Sequence, residues 1–272
     1  MTIEMKQNVK KYVFLALALV CAISVNAANK SLETPSEDDT FQASIPLGKS
    51  TVEATFTITD RTNNEVMIGY DNYYYEADIY SPTLPSTDSH VVEGKYFTAI
   101  DKATEGRLTI PETVTDENGV TYTVTGIANH AFAECSGLTF ISVPKTIKDI
   151  DTFAFSQCTG LKILKVCVNE PLEVFASTFE GIEDATLYVR RGCLEAYSAA
   201  KCWKDFSLIR EFPNGDVNLD GEVNIQDVVA TVGHMLGNET EPFEESFADM
   251  NEDGTINITD VTAIVSLILN QE

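Results

Sequence analysis

The sequence predicts a multidomain α+β protein: a repetitive block of short strands, preceded by a small β region and followed by a small all-α module. Three observations predict it. The middle of the 272-residue chain matches itself at a spacing of 23 residues, and alternating apolar residues recur at the same spacing. The C-terminal end carries two aligned acidic loops, each followed by apolar residues at helical intervals. With 44% hydrophobic residues the chain can bury a core, and its net charge of -24 opposes a nucleic-acid partner, whose affinity rests on Lys and Arg. The same balance makes a divalent cation the partner to look for.

Residues 1–27 have the pattern of a secretory signal peptide. Lys6, Lys10 and Lys11 precede an apolar run from Tyr12 to Val25, and Val25-Asn26-Ala27 supplies small residues for cleavage before Ala28. The run is shorter than the roughly 20 residues a spanning helix needs. Cys21 raises lipidation as the alternative, but bulky Val20 stands where such signals carry a small residue. Export leaves 15 Lys and Arg against 41 Asp and Glu, a net of -26.

Residues 28–50 contain Pro35, Ser36, Glu37, Asp38 and Asp39 and read as a flexible leader, with ordered structure from near Val52. In residues 51–107, alternation around Phe56 and Ile58 and the stretch Val66 to Tyr70 predict strands that cap the first coil. Tyr73, Tyr74, Tyr75 and Tyr80 form an aromatic cluster whose plain reading is strand packing and whose functional reading is a sugar platform.

Residues 108–212 hold the repeat. Ile127 matches Ile150, Ala131-Phe132 matches Ala154-Phe155, Cys135 matches Cys158, and Leu138 matches Leu161. Ile141, Leu164 and Leu187 form one apolar set, and Val143, Val166 and Val189 another, so each coil should hold one short strand beside its neighbour's. Leu108 to Pro111 is an earlier version, separated by an insertion in which Asp116-Glu117-Asn118-Gly119 predicts a hairpin turn. A period of this length with these positions resembles the BspA-type leucine-rich repeats of secreted bacterial proteins, which implies a solenoid. Gly192 to Trp203 reads as one helical stretch that closes the stack.

Five cysteines follow the signal, an odd number in a long chain, so most are expected as small buried apolar residues. His130 is expected as a packed or surface residue. No Ser/His/Asp order and no phosphate loop stands out, so no catalytic residue is assigned.

Residues 213–272 carry the most specific chemistry. Asp216 to Asp227 reads DVNLDGEVNIQD and Asp249 to Asp260 reads DMNEDGTINITD. Oxygen donors at positions 1, 3 and 5, a glycine at 6 and an acid at 12 are the pattern of an EF-hand-like calcium loop. The candidate ligands are Asp216, Asn218, Asp220 and Asp227, then Asp249, Asn251, Asp253 and Asp260. Glu222 and Thr255 would offer backbone carbonyls, while Asn224 and Asn257 would act through water or shape the loop. Val228, Val229, Val232 and Leu236, then Val261, Ile264, Val265 and Ile268, are expected as the buried faces of the helices that follow.

Two such half-hands in tandem closely resemble the type I dockerin, with its two bound Ca2+ ions and its cohesin partner. The resemblance makes Ile225, Gln226, Ile258 and Thr259 candidates for contact with a cohesin; cellulosomal dockerins often read Ser-Thr at those positions, so the partner's identity does not carry over. The reading that uses every segment is a bacterial protein, secreted or held at the cell surface, whose repeats contact a protein or glycan and whose dockerin attaches it to a cohesin, with polysaccharide utilisation the setting that the resemblance implies. The alternatives are an adhesin for host or cell surfaces and an accessory polysaccharide-degrading enzyme.

Overall fold

A computed structural model describes residues 39–70, 96–238 and 242–270. The expected signal peptide, most of the expected leader and the four clustered tyrosines lie outside the described residues. Among the described residues there are eleven strands. Strands β1 (Thr40–Leu47), β2 (Ser50–Asp60) and β3 (Glu65–Ile68) form an antiparallel meander at the N-terminal side. Thus β1 takes up part of the stretch expected as a flexible leader. Phe41, Ala43, Ile45 and Leu47 alternate inward along it, and Ile45 is fully buried, so the apolar period outweighs the polar residues between.

The repeats form two parallel ladders. In the first, β4 (Gly106–Thr109), β7 (Leu138–Val143), β9 (Ile163–Val166), β10 (Thr186–Arg190) and β11 (Leu208–Phe212) run side by side. The 23-residue match is visible in the register, where Ile141 faces Leu164 and Leu164 faces Leu187, and Val143, Val166 and Val189 follow suit. In the second, β6 (Thr121–Ile127) lies parallel to β3 and to the two-residue β8 (Asp149–Ile150). The Asn118-Gly119 turn joins β5 (Thr113–Thr115) to β6 as an antiparallel hairpin, with Asp116 Oδ1 accepting from the amides of Asn118 and Val120.

Between the ladders the coils stack equivalent side chains. The rings of Phe132, Phe155 and Phe179 lie parallel at centroid distances of 5.7 and 6.1 Å, and Trp203 and Phe206 close the row. Cys135, Cys158 and Ile182 form the next row, all buried. The spacing between coils is tight enough that a side chain at Gly160 would run into the carbonyl of Ser136 in the coil before. The closing stretch is not one helix. Helix α1 (Leu194–Ala199) ends at Ala200, and Cys202, with φ of 68°, precedes a separate short turn at Trp203–Asp205.

Because side chains alternate along a strand, the parallel sheet has a second face. Leu164, Leu187 and Val189 point into the solenoid, while Ile163, Lys165, Tyr188 and Phe212 point out. That outer face is covered by the C-terminal segment, whose helices are α2 (Ile225–Met235), α3 (Glu245–Ala248) and α4 (Ile258–Leu269). Tyr188 and Phe212 share one buried cluster with Val217, Ala230, Phe247, Met250 and Ile264. Residues Thr40–Glu272 therefore form one compact unit.

Candidate metal centre

The two acidic loops share the same central set of hydrogen bonds. In the first, Asp216 accepts from the amides of Asp220 and Gly221, both at 3.1 Å; in the second, Asp249 accepts from Asp253 at 3.1 Å and Gly254 at 2.8 Å. Asn218 accepts from the amide of Asp220 and its side-chain amide donates to Asp220 Oδ2; Asn251 does the same with Asp253. Asp220 and Asp253 each accept from the amide two residues on, at Glu222 and Thr255. The reversal falls at Gly221 and Gly254, whose φ angles of 92° and 82° are easy only without a Cβ.

Position 12 ties each loop to the helix after it. Asp227 Oδ1 accepts from the amides of Val217 and Asn218, and its Oδ2 from Asn224. Asp260 makes the same three bonds to Met250, Asn251 and Asn257. Asn224 and Asn257 cap α2 and α4, accepting from Gln226 and Thr259 at 2.8 Å, and with Asp227 and Asp260 they form reciprocal capping boxes. Both asparagines thus shape the loop. No helix precedes the first loop, into which β11 leads, whereas the single turn of α3 ends just before the second.

These carboxylates are unusually deep. Asp227 and Asp260 are fully buried and Asp216 is 1% exposed, and among the described residues no Lys or Arg pairs with them. Burial, followed by the negative charge of neighbouring Asp227, pushes the Asp216 carboxyl up to about 6. Buried like charges held by neutral N–H groups are costly without a cation, and an all-oxygen set of carboxylates, amides and carbonyls suits a hard divalent ion. The residues present therefore fit calcium in their chemistry. Among the described residues, however, no three His, Cys, Asp or Glu side chains converge as a metal-holding group. Two of the five expected donors in each loop are an amide and a backbone carbonyl, and Asp227 and Asp260 turn their oxygens toward backbone amides.

The helices differ from the sequence expectation. Val229, Val232 and Leu236, expected on a buried face, are 63%, 37% and 71% exposed, whereas Asp227, Ala230 and Thr231 are buried. Of the four expected residues only Val228 packs against the buried cluster, beside small Ala230, so Val229 and Val232 face outward. In α4 the expectation holds best at Val261 and Ile264. Ile225 and Ile258, together with Gln226 and Thr259, stand exposed on the first turns of the two helices. Exposed Val229 and Leu236 extend the apolar stripe of Ile225 along α2, a continuation that the apolar period alone assigns to the interior.

Other reactive side chains are quiet. Burial pushes the thiols of Cys135 and Cys158 up to about 12, and Cys158 Sγ lies against the carbonyl of Phe132. His130 is stacked between Tyr96 and Phe153, and burial together with nearby Lys102 lowers its pKa. No helix among the described residues is long and apolar enough to cross a membrane.

Comparison with known proteins adds to this geometry. Residues 114–186 match the BspA type leucine rich repeat region, in six copies, and residues 214–269 match the dockerin type I domain. A solved leucine-rich repeat protein from Bacteroides capillosus ATCC 29799 is similar at 20% identity, over 62% of this chain and 97% of that one, with a TM-score of 0.35. No curated protein matches the chain. Type I dockerins bind calcium and dock to cohesins, and leucine-rich repeats bind proteins. The chain joins a BspA-type leucine-rich repeat region to a type I dockerin domain.

Proposed function

We propose that this is an exported, non-catalytic binding protein whose repeats, over residues 108–212, hold a protein or glycan and whose dockerin, over residues 213–272, attaches it to a cohesin. The duplicated hydrogen-bond pattern around buried Asp216, Asp227 and Asp260 is the observation that carries this reading. Each loop would hold one Ca2+ ion. Asp216, Asn218, Asp220 and Asp227, with the Glu222 carbonyl, would hold the first. Asp249, Asn251, Asp253 and Asp260, with the Thr255 carbonyl, would hold the second. The ion supplies the positive charge that these loops lack.

Ile225 and Gln226, continuous with the exposed stripe of α2, and Ile258 and Thr259 at the start of α4 would be the cohesin contacts, and their exposure supports that role. The signal sequence in residues 1–27 would place the protein outside the cytoplasm, and the raised thiols and stacked His130 favour a non-catalytic repeat block. Purified protein should bind an immobilised type I cohesin in calcium and not in chelator. It should also take up two ions per chain by titration. Asp216→Ala with Asp220→Ala should remove one ion, and Asp249→Ala with Asp253→Ala the other. Titration with no calcium uptake would overturn the assignment.

A further inference from the structure

We infer that the repeat sheet is a working part of the calcium module: its basic side chains position the two loops, so that calcium affinity and repeat–dockerin packing are thermodynamically linked. This rests on the calcium reading above and goes beyond it. A dockerin that acted as a tethered plug would need only a linker to its neighbour. Here four of the chain's five arginines, with Lys165, reach into the segment that follows Arg210, which has no Lys or Arg of its own.

The contacts fall on the loops and on the hinge between them. Arg210 donates to the carbonyl of Gly221 at position 6 of the first loop, at 3.2 Å. Arg191 donates to the carbonyls of Met250, at position 2 of the second loop, and of Pro213, just before the first. Arg190 pairs with Glu252 at position 4 of the second loop, at 2.7 Å. Glu244, between the loops, is held by Arg107 at 2.6 Å and by Lys165 at 2.7 Å, with Ser246 completing the site. The amide of Glu244 in turn donates to the carbonyl of Val217 in the first loop. Beneath these polar contacts Phe247 packs on Tyr188 and Phe212 at ring distances of 4.8 and 5.6 Å.

None of the loop groups gripped by the repeats is among the candidate calcium donors, so the grip and the ion do not compete for an oxygen. The arginines do repel a cation. That repulsion is weak beside the attraction of a segment carrying 13 Asp and Glu, and it is screened over about 8–10 Å. Holding the loop backbone in its folded path removes part of the ordering that an ion must otherwise impose, so the coupling is positive. By reciprocity, the ions also tighten the dockerin against the sheet.

The full chain and its Glu244→Gln variant, both shown folded by the fluorescence of buried Trp203, would be titrated with calcium. The variant should bind about five-fold or more weakly, within the usual range of coupling factors. In chelator, amides of α2 and α4 should exchange faster in the variant than in the wild type. Arg191→Met should weaken calcium binding in the same direction, and Arg191→Lys, which keeps a donor, should recover part of the loss. Equal affinities in all four proteins would sink the linkage while leaving the calcium site intact. Absence of binding in the wild type would instead overturn the calcium reading and the linkage with it. Should Glu244→Gln fail to fold, the Arg191 pair of variants decides the matter alone.

Discussion

The repeat block and the C-terminal segment reach order by opposite means. In the repeats, successive coils set Ile141, Leu164 and Leu187 against one another and stack Phe132, Phe155 and Phe179, so the favourable contact is apolar and contributed by side chains. In the C-terminal segment, buried carboxylates gather backbone amides into two tight loops, and apolar contact is shared with the outer face of the repeat sheet. The first region should tolerate chelators and fail when its stack is broken. The second should respond to ions, to acid and to the state of its neighbour.

The largest expected effect breaks the apolar side of this comparison. Leu164 is fully buried between Ile141 and Leu187, and Leu164→Asp would place a carboxylate there with no partner. An uncompensated buried charge costs several kcal/mol, a large part of the stability of a domain. The variant should lose the cooperative melt followed at Trp203, the chain's single tryptophan, which is buried at the end of the ring stack. A protein that keeps that transition would refute the assignment of Leu164 to the interior.

Why Leu164 could be placed from sequence and Lys165 could not follows from what a repeat encodes. Equivalent residues recur because each coil meets the next in the same way, so Ile141, Leu164 and Leu187 announce their own neighbours. The outer face carries Lys165, Tyr188 and Arg210 side by side, but no repeat says what covers them. Their partners lie far along the chain, and Glu244 reads in sequence as one more acid in an acidic stretch. The loops were legible for the reason the repeat was: they occur twice, with donors at fixed intervals. The buried face of α2 was only partly legible, because Ala230 and Thr231 are buried beside Val228 while Val229 and Val232, which share the apolar period, stand outside.

Removing calcium should separate the two regions next. Helix content followed by circular dichroism should fall in chelator, while Trp203 fluorescence and the strand signal remain. With calcium at about 100 times its dissociation constant, one site adds about 2.7 kcal/mol to the folded segment, and chelation withdraws it. A Trp203 transition that shifts as far as the helical one would show that the repeats cannot stand without the ions.

Acid should act on the contact between the regions. Burial raises the Glu244 carboxyl, but Lys165, the bonds from Lys165 and Ser246, and Arg107 outweigh it and hold the group below its ordinary value of 4.5. A carboxyl lowered on folding contributes stability above its unfolded value, and that contribution is lost as pH falls through the lower folded value. Wild type and Glu244→Gln should therefore differ at neutral pH by about 1–3 kcal/mol, the range for a hydrogen bond to a charged group. The gap should close only below 4.5. A gap that persists at the acid end would assign the effect of the substitution to shape instead of charge.

The smallest effect sharpens the comparison within the dockerin. Val229 on α2 and Ile264 on α4 both belong to apolar helical patterns, yet Val229 is 63% exposed and Ile264 fully buried between the loops and the repeat sheet. Val229→Ser should change stability by no more than about 0.5 kcal/mol, as for surface substitutions generally. Ile264→Ser should cost about 2–5 kcal/mol, by analogy with large-to-small changes in a core. Val229→Ser keeps the calcium loops and the repeat contact, so any loss of cohesin binding by this variant would come from the exposed stripe itself. Equal melting temperatures for the two variants would mean that α2 packs by its valines, as the apolar period suggests, and that its exposed stripe is not available to a partner.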